Sequence, residues 1–259
     1  MNAIAKKILS ALLPKAYKPY TMFPYRYLGE PLKVEVGIGD CGLPFAEHGG
    51  VRVFFPRNMP LEEVETLYRG YLEDEGLTGH GRRTKSPHCY VTEHHRPEVG
   101  DIIVDIGCSE GFFSRSFVRE AKRMYLFECE PKWDEPLKET FRDCPDKVVI
   151  TRKFVGDKSS ETEIRLEDVL CGSADDVYFL KLDVEGAERA ILESSRDFLS
   201  SNKIKMSCCA YHRQDDGRYL TRLLKGLGFR PQYSEGWMLP YGSRTFPFFR
   251  RGVIYARNF

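Results

Sequence analysis

From residue 100 onward, short apolar runs alternate with amphipathic stretches. Ile102, Ile103, Val104 and Ile106 form the first run, and residues 111–122 follow it with helical spacing. The same alternation predicts a strand at 124–127, a helix at 132–142, and strands at 148–151 and 177–182. A helix at 187–198 and a strand at 204–210 come next, and Leu220, Leu223, Leu224 and Leu227 then mark one stripe of a further helix. Strands that take turns with helices pack as a mainly parallel sheet covered on both faces, because each parallel connection must cross over the sheet. Residues 236–240 and 252–256 follow each other with no helix between them, which predicts an antiparallel hairpin at the sheet edge.

The first 98 residues are patterned differently and are expected to form an extension to a domain spanning 99–259. Residues 4–13 place Ile4, Ile8 and Leu12 on one helical face before Pro14. A helix docked on protein is expected rather than one lying on a membrane, since only Lys6 and Lys7 supply basic character. Residues 14–60 are rich in Pro, Gly and aromatics, with short strands expected at 33–36 and 51–55. Pro60 opens a helix to about residue 72, and 76–86 reads as a loop.

Composition narrows the function. With 42% hydrophobic and 30% charged residues the chain is globular, and disordered or fibrous classes drop out. Lys and Arg total 39 against 38 Asp and Glu, a net charge of +1 that gives no general attraction to nucleic acid. A small molecule or glycan is the expected substrate, and homo-oligomerisation is left open. The eight cysteines include no Cys-x-x-Cys pair, so reduced thiols in a cytoplasmic protein are expected and a zinc site is not. No secretory pattern and no membrane-length apolar run occurs, so stable membrane insertion is not expected.

The turn after the first parallel strand reads Asp105, Ile106, Gly107, Cys108, Ser109, Glu110, Gly111. Gly107 permits a tight turn and Gly111 a close approach of the helix start. The spacing is D-x-G-x-x-x-G, not the G-x-G-x-x-G whose amides cradle a pyrophosphate. A carboxylate ahead of the first glycine repels phosphate but suits a ligand carrying an ammonium and a sulfonium. Glu128 ends the second strand, where doubly wound folds place an acid on ribose hydroxyls. Asp157, after the third strand, is either an adenine-edge contact or a turn residue.

These stretches, with residues 101–114 (DIIVDIGCSEGFFS), 126–131 (LFECEP), 154–158 (FVGDK) and 179–190 (FLKLDVEGAERA), resemble the FkbM family of methyltransferases over roughly residues 99–195. The resemblance implies a doubly wound, Rossmann-like class I methyltransferase fold with a mainly parallel seven-stranded sheet. It also implies S-adenosylmethionine as methyl donor and O-methylation of a sugar or secondary metabolite. By position it places Asp105, Gly107, Cys108 and Gly111 at the methionine and ribose end of the donor, with Glu128 on the ribose. Cys108 and Glu110 depart from the small residue and Asn usual in that turn.

Methyl transfer needs an aligned nucleophile, worth about 7–11 kcal/mol, and gains a further factor of about 10²–10⁴ from a general base. Strands one and four should meet where the sheet reverses order, so Asp183, at the end of 177–182, faces the glycine turn. Glu185 opens the next helix and His212 ends the next strand, which makes Asp183, Glu185 and His212 the candidate catalytic residues. Helix capping is the competing role for Asp183, less favoured than a functional one, and Glu188 reads as a favourable first-turn charge. His212 can act as a base at neutral pH because its unperturbed pKa is about 6.5. A divalent ion on these groups is not expected. N-methylation and a non-catalytic binding module are the competing readings, the latter kept alive by the altered Cys108–Glu110 turn; an NAD-dependent oxidoreductase lacks its glycine fingerprint.

Overall fold

The computed structural model describes residues 20–23, 32–75, 86–240 and 246–259. The helix expected at 4–13 and all but the last residue of the 76–86 loop lie outside them. The extension contributes β1 (Tyr20–Phe23), β2 (Glu35–Ile38), β3 (Pro44–His48), β4 (Val51–Phe54) and α1 (Leu61–Asp74). The alternating part begins with β5 (Ile102–Ile106), α2 (Phe112–Ser116), β6 (Arg123–Phe127), α3 (Asp134–Thr140) and β7 (Val148–Thr151). Two short strands follow, β8 (Phe154–Val155) and β9 (Glu163–Ile164), then β10 (Val177–Leu182), α4 (Glu188–Ser194), α5 (Arg196–Ser201) and β11 (Lys203–Cys209). The chain closes with α6 (Asp216–Gly226), β12 (Gln232–Tyr233), β13 (Trp237–Pro240) and β14 (Val253–Arg257).

The main sheet has seven strands in the order β12-β14-β11-β10-β5-β6-β7. Strands β5, β6, β7, β10 and β11 pair in parallel, while β14 runs antiparallel to both β11 and β12. The order reverses between β5 and β10. Helices that follow these two strands leave toward opposite sides and open a crevice at the strands' C-terminal ends.

Alternating side chains of β5 supply two cores. Ile102, Val104 and Ile106 pack with Leu180, Leu182, Leu192 and Leu224 on one face of the sheet. Ile103 packs on the other face with Phe112, Met124 and Phe179, and with Val53, Phe55, Val64 and Tyr68 of the extension. The extension therefore shares a core with the sheet. Its own β2, β3 and β4 form a small antiparallel sheet.

The terminal hairpin differs from expectation. Strand β13 pairs with β1, and among the described residues only the Met238–Arg250 bridge ties it toward the segment that leads into β14. The edge neighbour of β14, opposite β11, is the two-residue β12, which is too short to leave an alternation in the sequence. The helix expected at 111–122 ends at Ser116, whose hydroxyl bonds back to the Phe112 carbonyl at 2.8 Å. The helix expected at 187–198 is divided at Ser195.

Candidate active site

The glycines fix the geometry of the crevice. Gly107 has φ +76°, and a Cβ there would lie 2.0 Å from the Asp183 carbonyl oxygen. Only glycine lets the turn after β5 interlock with the end of β10. Gly111, with φ +81°, starts α2, and a Cβ would meet the Phe141 and Leu137 side chains at 2.8 and 3.0 Å. Gly111 thus seats α2 against the region of α3.

Asp105 lies one layer behind the crevice. It is 0% exposed, accepts the Ser114 hydroxyl at 2.8 Å, and pairs with Lys181 Nζ at 3.0 Å. Lys181 also donates to the Gly107 carbonyl at 2.9 Å. Burial alone would lower the Lys181 pKa, but the charges of Asp105 and Asp183 raise it, so the ammonium persists. The position expected to meet a ligand's ammonium is occupied by the protein's own cation.

In front of this pair is a cavity of about 300 Å³, at the lower end of the range for ligand pockets. The turn contributes Gly107, Cys108 and Glu110, α1 contributes Tyr71, and the loop before β5 contributes His88 and Tyr90. Asp183, Glu185 and Glu75 add carboxylates. Burial pushes the Glu110 carboxyl up to about 7, although the Tyr71 hydroxyl donates to it at 3.0 Å. Burial likewise raises Glu75, helped by the charge of Glu110. With Lys181 committed to Asp105, the lining favours a cationic guest.

Asp183 is the hub of a buried network. Its Oδ2 accepts the Tyr90 hydroxyl at 2.5 Å and lies 3.5 Å from His88 Nε2. Its Oδ1 lies 3.3 Å from His212 Nε2, and His212 Nδ1 bonds Glu188 Oε1 at 2.7 Å. Glu185 Oε2 is 3.6 Å from the same Nε2. Burial would raise the Asp183 carboxyl, but the His88 hydrogen bond and the charges of His88, His212 and Lys181 hold it well below the usual carboxylate range. Burial also opposes a charge on His212, yet the Glu188 bond and the Asp183, Glu188 and Glu185 charges push it up to about 9. The base expected at neutral pH thus holds its proton more tightly than a free imidazole, and its ring lies behind Asp183 and outside the cavity lining.

The other expected residues fall around this hub. Cys108 lines the cavity and is buried. Glu128 stands at the end of β6 beside the turn, where its Oε2 accepts the Ser109 N–H at 3.0 Å and its Oε1 the Glu130 N–H at 2.8 Å. Asp157 is exposed beside β8, with its N–H on Glu163 Oε1 at 2.9 Å, and it does not line this cavity. Tyr90, His88, Glu75 and Lys181 escaped the sequence reading. Lys181 alone left a signal there, a lysine inside an apolar run. Glu188, read as a helix-start charge, also accepts the Val184 N–H at 3.1 Å and holds the His212 ring. Two sets, His88–Asp183–Cys209 and Asp183–Glu188–His212, bring ligand atoms within 4.8 Å of one another and could hold a metal ion. No helix among the described residues is long and apolar enough to cross a membrane.

The Methyltransferase FkbM domain matches residues 149–231. No curated protein matches the chain. Among solved structures, Methyltransferase FkbM from Methylobacillus flagellatus KT aligns with TM-score 0.53 at 19% identity, over 75% of this chain and 54% of that one. The chain thus spans about half the length of that protein. A putative transferase from Pyrococcus horikoshii aligns at TM-score 0.44 and 11% identity, over 85% of this chain and 72% of its own. A putative methyltransferase from Streptococcus mutans, in complex with SAH, aligns at TM-score 0.42 and 12% identity, over 62% and 90%. Residues 149–231 thus match the FkbM methyltransferase domain, and the strand order of the whole sheet is that of a class I methyltransferase-like fold.

Proposed function

We propose that the protein transfers a methyl group from S-adenosylmethionine to a hydroxyl oxygen of a sugar, glycan or small metabolite. One observation carries the reading. The ends of β5 and β10 bring the Gly107–Glu110 turn and Asp183 to a single acid-lined cavity, and His212, after β11, stands behind Asp183 with Nε2 3.3 Å from its Oδ1. When bound, S-adenosylmethionine supplies an electrophilic methyl carbon beside a sulfonium. The donor set suits that ligand, because Asp183, Glu185 and, above its raised pKa, Glu110 offer carboxylates to its positive charges. Glu128, beside the turn, still has lone pairs for ribose hydroxyls.

The residues divide the remaining work. Asp183, ionised and held from two sides, orients the acceptor hydroxyl. His212 takes the hydroxyl proton at Nε2 once it has given up its own. Glu188 fixes the imidazole ring through Nδ1, and Tyr90 with His88 fixes the Asp183 carboxylate. Alignment contributes more than proton removal, so a weakened base slows this reaction without abolishing it.

The test is transfer of labelled methyl from S-adenosylmethionine to sugar and small-metabolite acceptors, with Asp183→Asn as control. Label on an acceptor oxygen, reduced at least 100-fold in the variant, supports the reading. Label on nitrogen, or donor binding with no transfer to any acceptor, contradicts it.

A further inference from the structure

A second, larger cavity of about 550 Å³ lies between α6 and the segment leading into β14. Its chemistry is opposite to that of the first. Arg218, Arg222 and Lys225 project from one face of α6, at the i, i+4, i+7 spacing that brings side chains together. Arg250 and Arg251 face them from the other wall. The one carboxylate in the lining, Asp215, is already paired with Arg189. In a chain whose net charge is only +1, five cations gather around one cavity. Their mutual repulsion is relieved when an anion enters.

The wall is built rather than incidental. The Arg251 guanidinium lies 3.9 Å from the Trp237 ring centre and 4.8 Å from that of Tyr233, so aromatic faces hold it in place. The Tyr233 hydroxyl in turn bonds the Gly217 carbonyl and the Thr221 hydroxyl, each at 2.7 Å, which ties the aromatic to α6. Arg250 donates from Nη1 to the Tyr211 and His212 carbonyls, at 2.8 Å each. The cationic wall is therefore anchored on the backbone of the residue proposed to take the acceptor proton. Phe249, 47% exposed, adds an apolar surface beside the charges.

We infer that this cavity binds a small molecule bearing a phosphate or carboxylate group. The anion site stands on its own geometry, independently of the methyl-transfer reading. An anion on Arg222, Lys225 and Arg251 leaves the rest of the ligand against Phe249. A neutral sugar of the same size offers these three cations no counter-charge and binds more weakly.

Ligand-observed NMR with the full chain tests this, using glucose 6-phosphate, glucuronate, inorganic phosphate and neutral glucose as probes. At least one anionic sugar binds ten-fold or more tightly than glucose, and its affinity falls with added salt. Preference for glucose 6-phosphate assigns a phosphorylated ligand, and preference for glucuronate a carboxylated one. The exposed pair Arg222→Glu and Lys225→Glu weakens that binding ten-fold or more. Equal binding of glucose, no binding of any anion, or an unchanged affinity in the double variant overturns the inference. S-adenosylmethionine binding, followed in the same samples, separates the two readings. Loss of anion binding with donor binding intact defeats only this inference, whereas anion binding with no donor binding defeats only the methyl-transfer reading.

Discussion

Lys181 and Asp105 form an ion pair of 3.0 Å between adjacent parallel strands, with side chains 6% and 0% exposed. A pair this deep stabilises little against an apolar pair of the same shape, but breaking it strands a buried charge. Lys181 also holds the Gly107 carbonyl, so the pair sets the shape of the turn as well as its charge. Lys181→Met should therefore cost about 3–5 kcal/mol of stability, measured by urea unfolding. A loss below about 1 kcal/mol would mean that Asp105 finds another partner or a proton.

Turnover should depend on pH through His212. The imidazolium is held by Glu188, Asp183 and Glu185 with a pKa of about 9. Only the form that has lost this proton accepts another, so kcat should rise with pH from neutrality, reach half its maximum near pH 9 and level off above that. Glu188→Gln removes the hydrogen-bonded charge and should bring the plateau to lower pH. A profile flat from pH 6 to 9 in the native enzyme would remove His212 from proton transfer.

Donor affinity should show a second, lower transition. Burial raises Glu110 to about 7, so below that pH the carboxyl is neutral and offers nothing to a cation. S-adenosylmethionine should bind more tightly as pH rises through about 7, and calorimetry should record proton release. Glu110→Gln should bind weakly at every pH and lose the transition. An affinity independent of pH between 5.5 and 8.5 would place the donor's charges away from Glu110.

The Gly107–Asp183 contact makes a steric prediction. Gly107→Ala sets a methyl group 2.0 Å from a backbone oxygen at a positive φ. The turn or the end of β10 must shift, at a cost of about 2 kcal/mol or more. Urea unfolding reads that cost, and donor affinity should fall with it. A variant with native stability and affinity would show that the two loops are not interlocked.

The parts of this fold that the sequence disclosed are those with a local signature. Strands β5, β6, β7, β10 and β11 are buried apolar runs, and the D-x-G-x-x-x-G turn lies between a strand and its helix. The pairing of β1 with β13 joins residues more than two hundred positions apart, and nothing local marks it. The same holds for the candidate site. Asp183 and His212 end consecutive strands and could be placed, but Tyr90 reaches Asp183 across a separation of 93 residues. The raised pKa of His212 has no local signature, because the three carboxylates that converge on it are brought together by tertiary packing.

A crystal structure with S-adenosylhomocysteine would locate the donor by the position of one sulfur atom. That sulfur should lie in the cavity bounded by Cys108, Glu110 and Asp183, with the ribose hydroxyls on Glu128. A cofactor bound on another face of the sheet, or none bound at millimolar concentration, would contradict that placement.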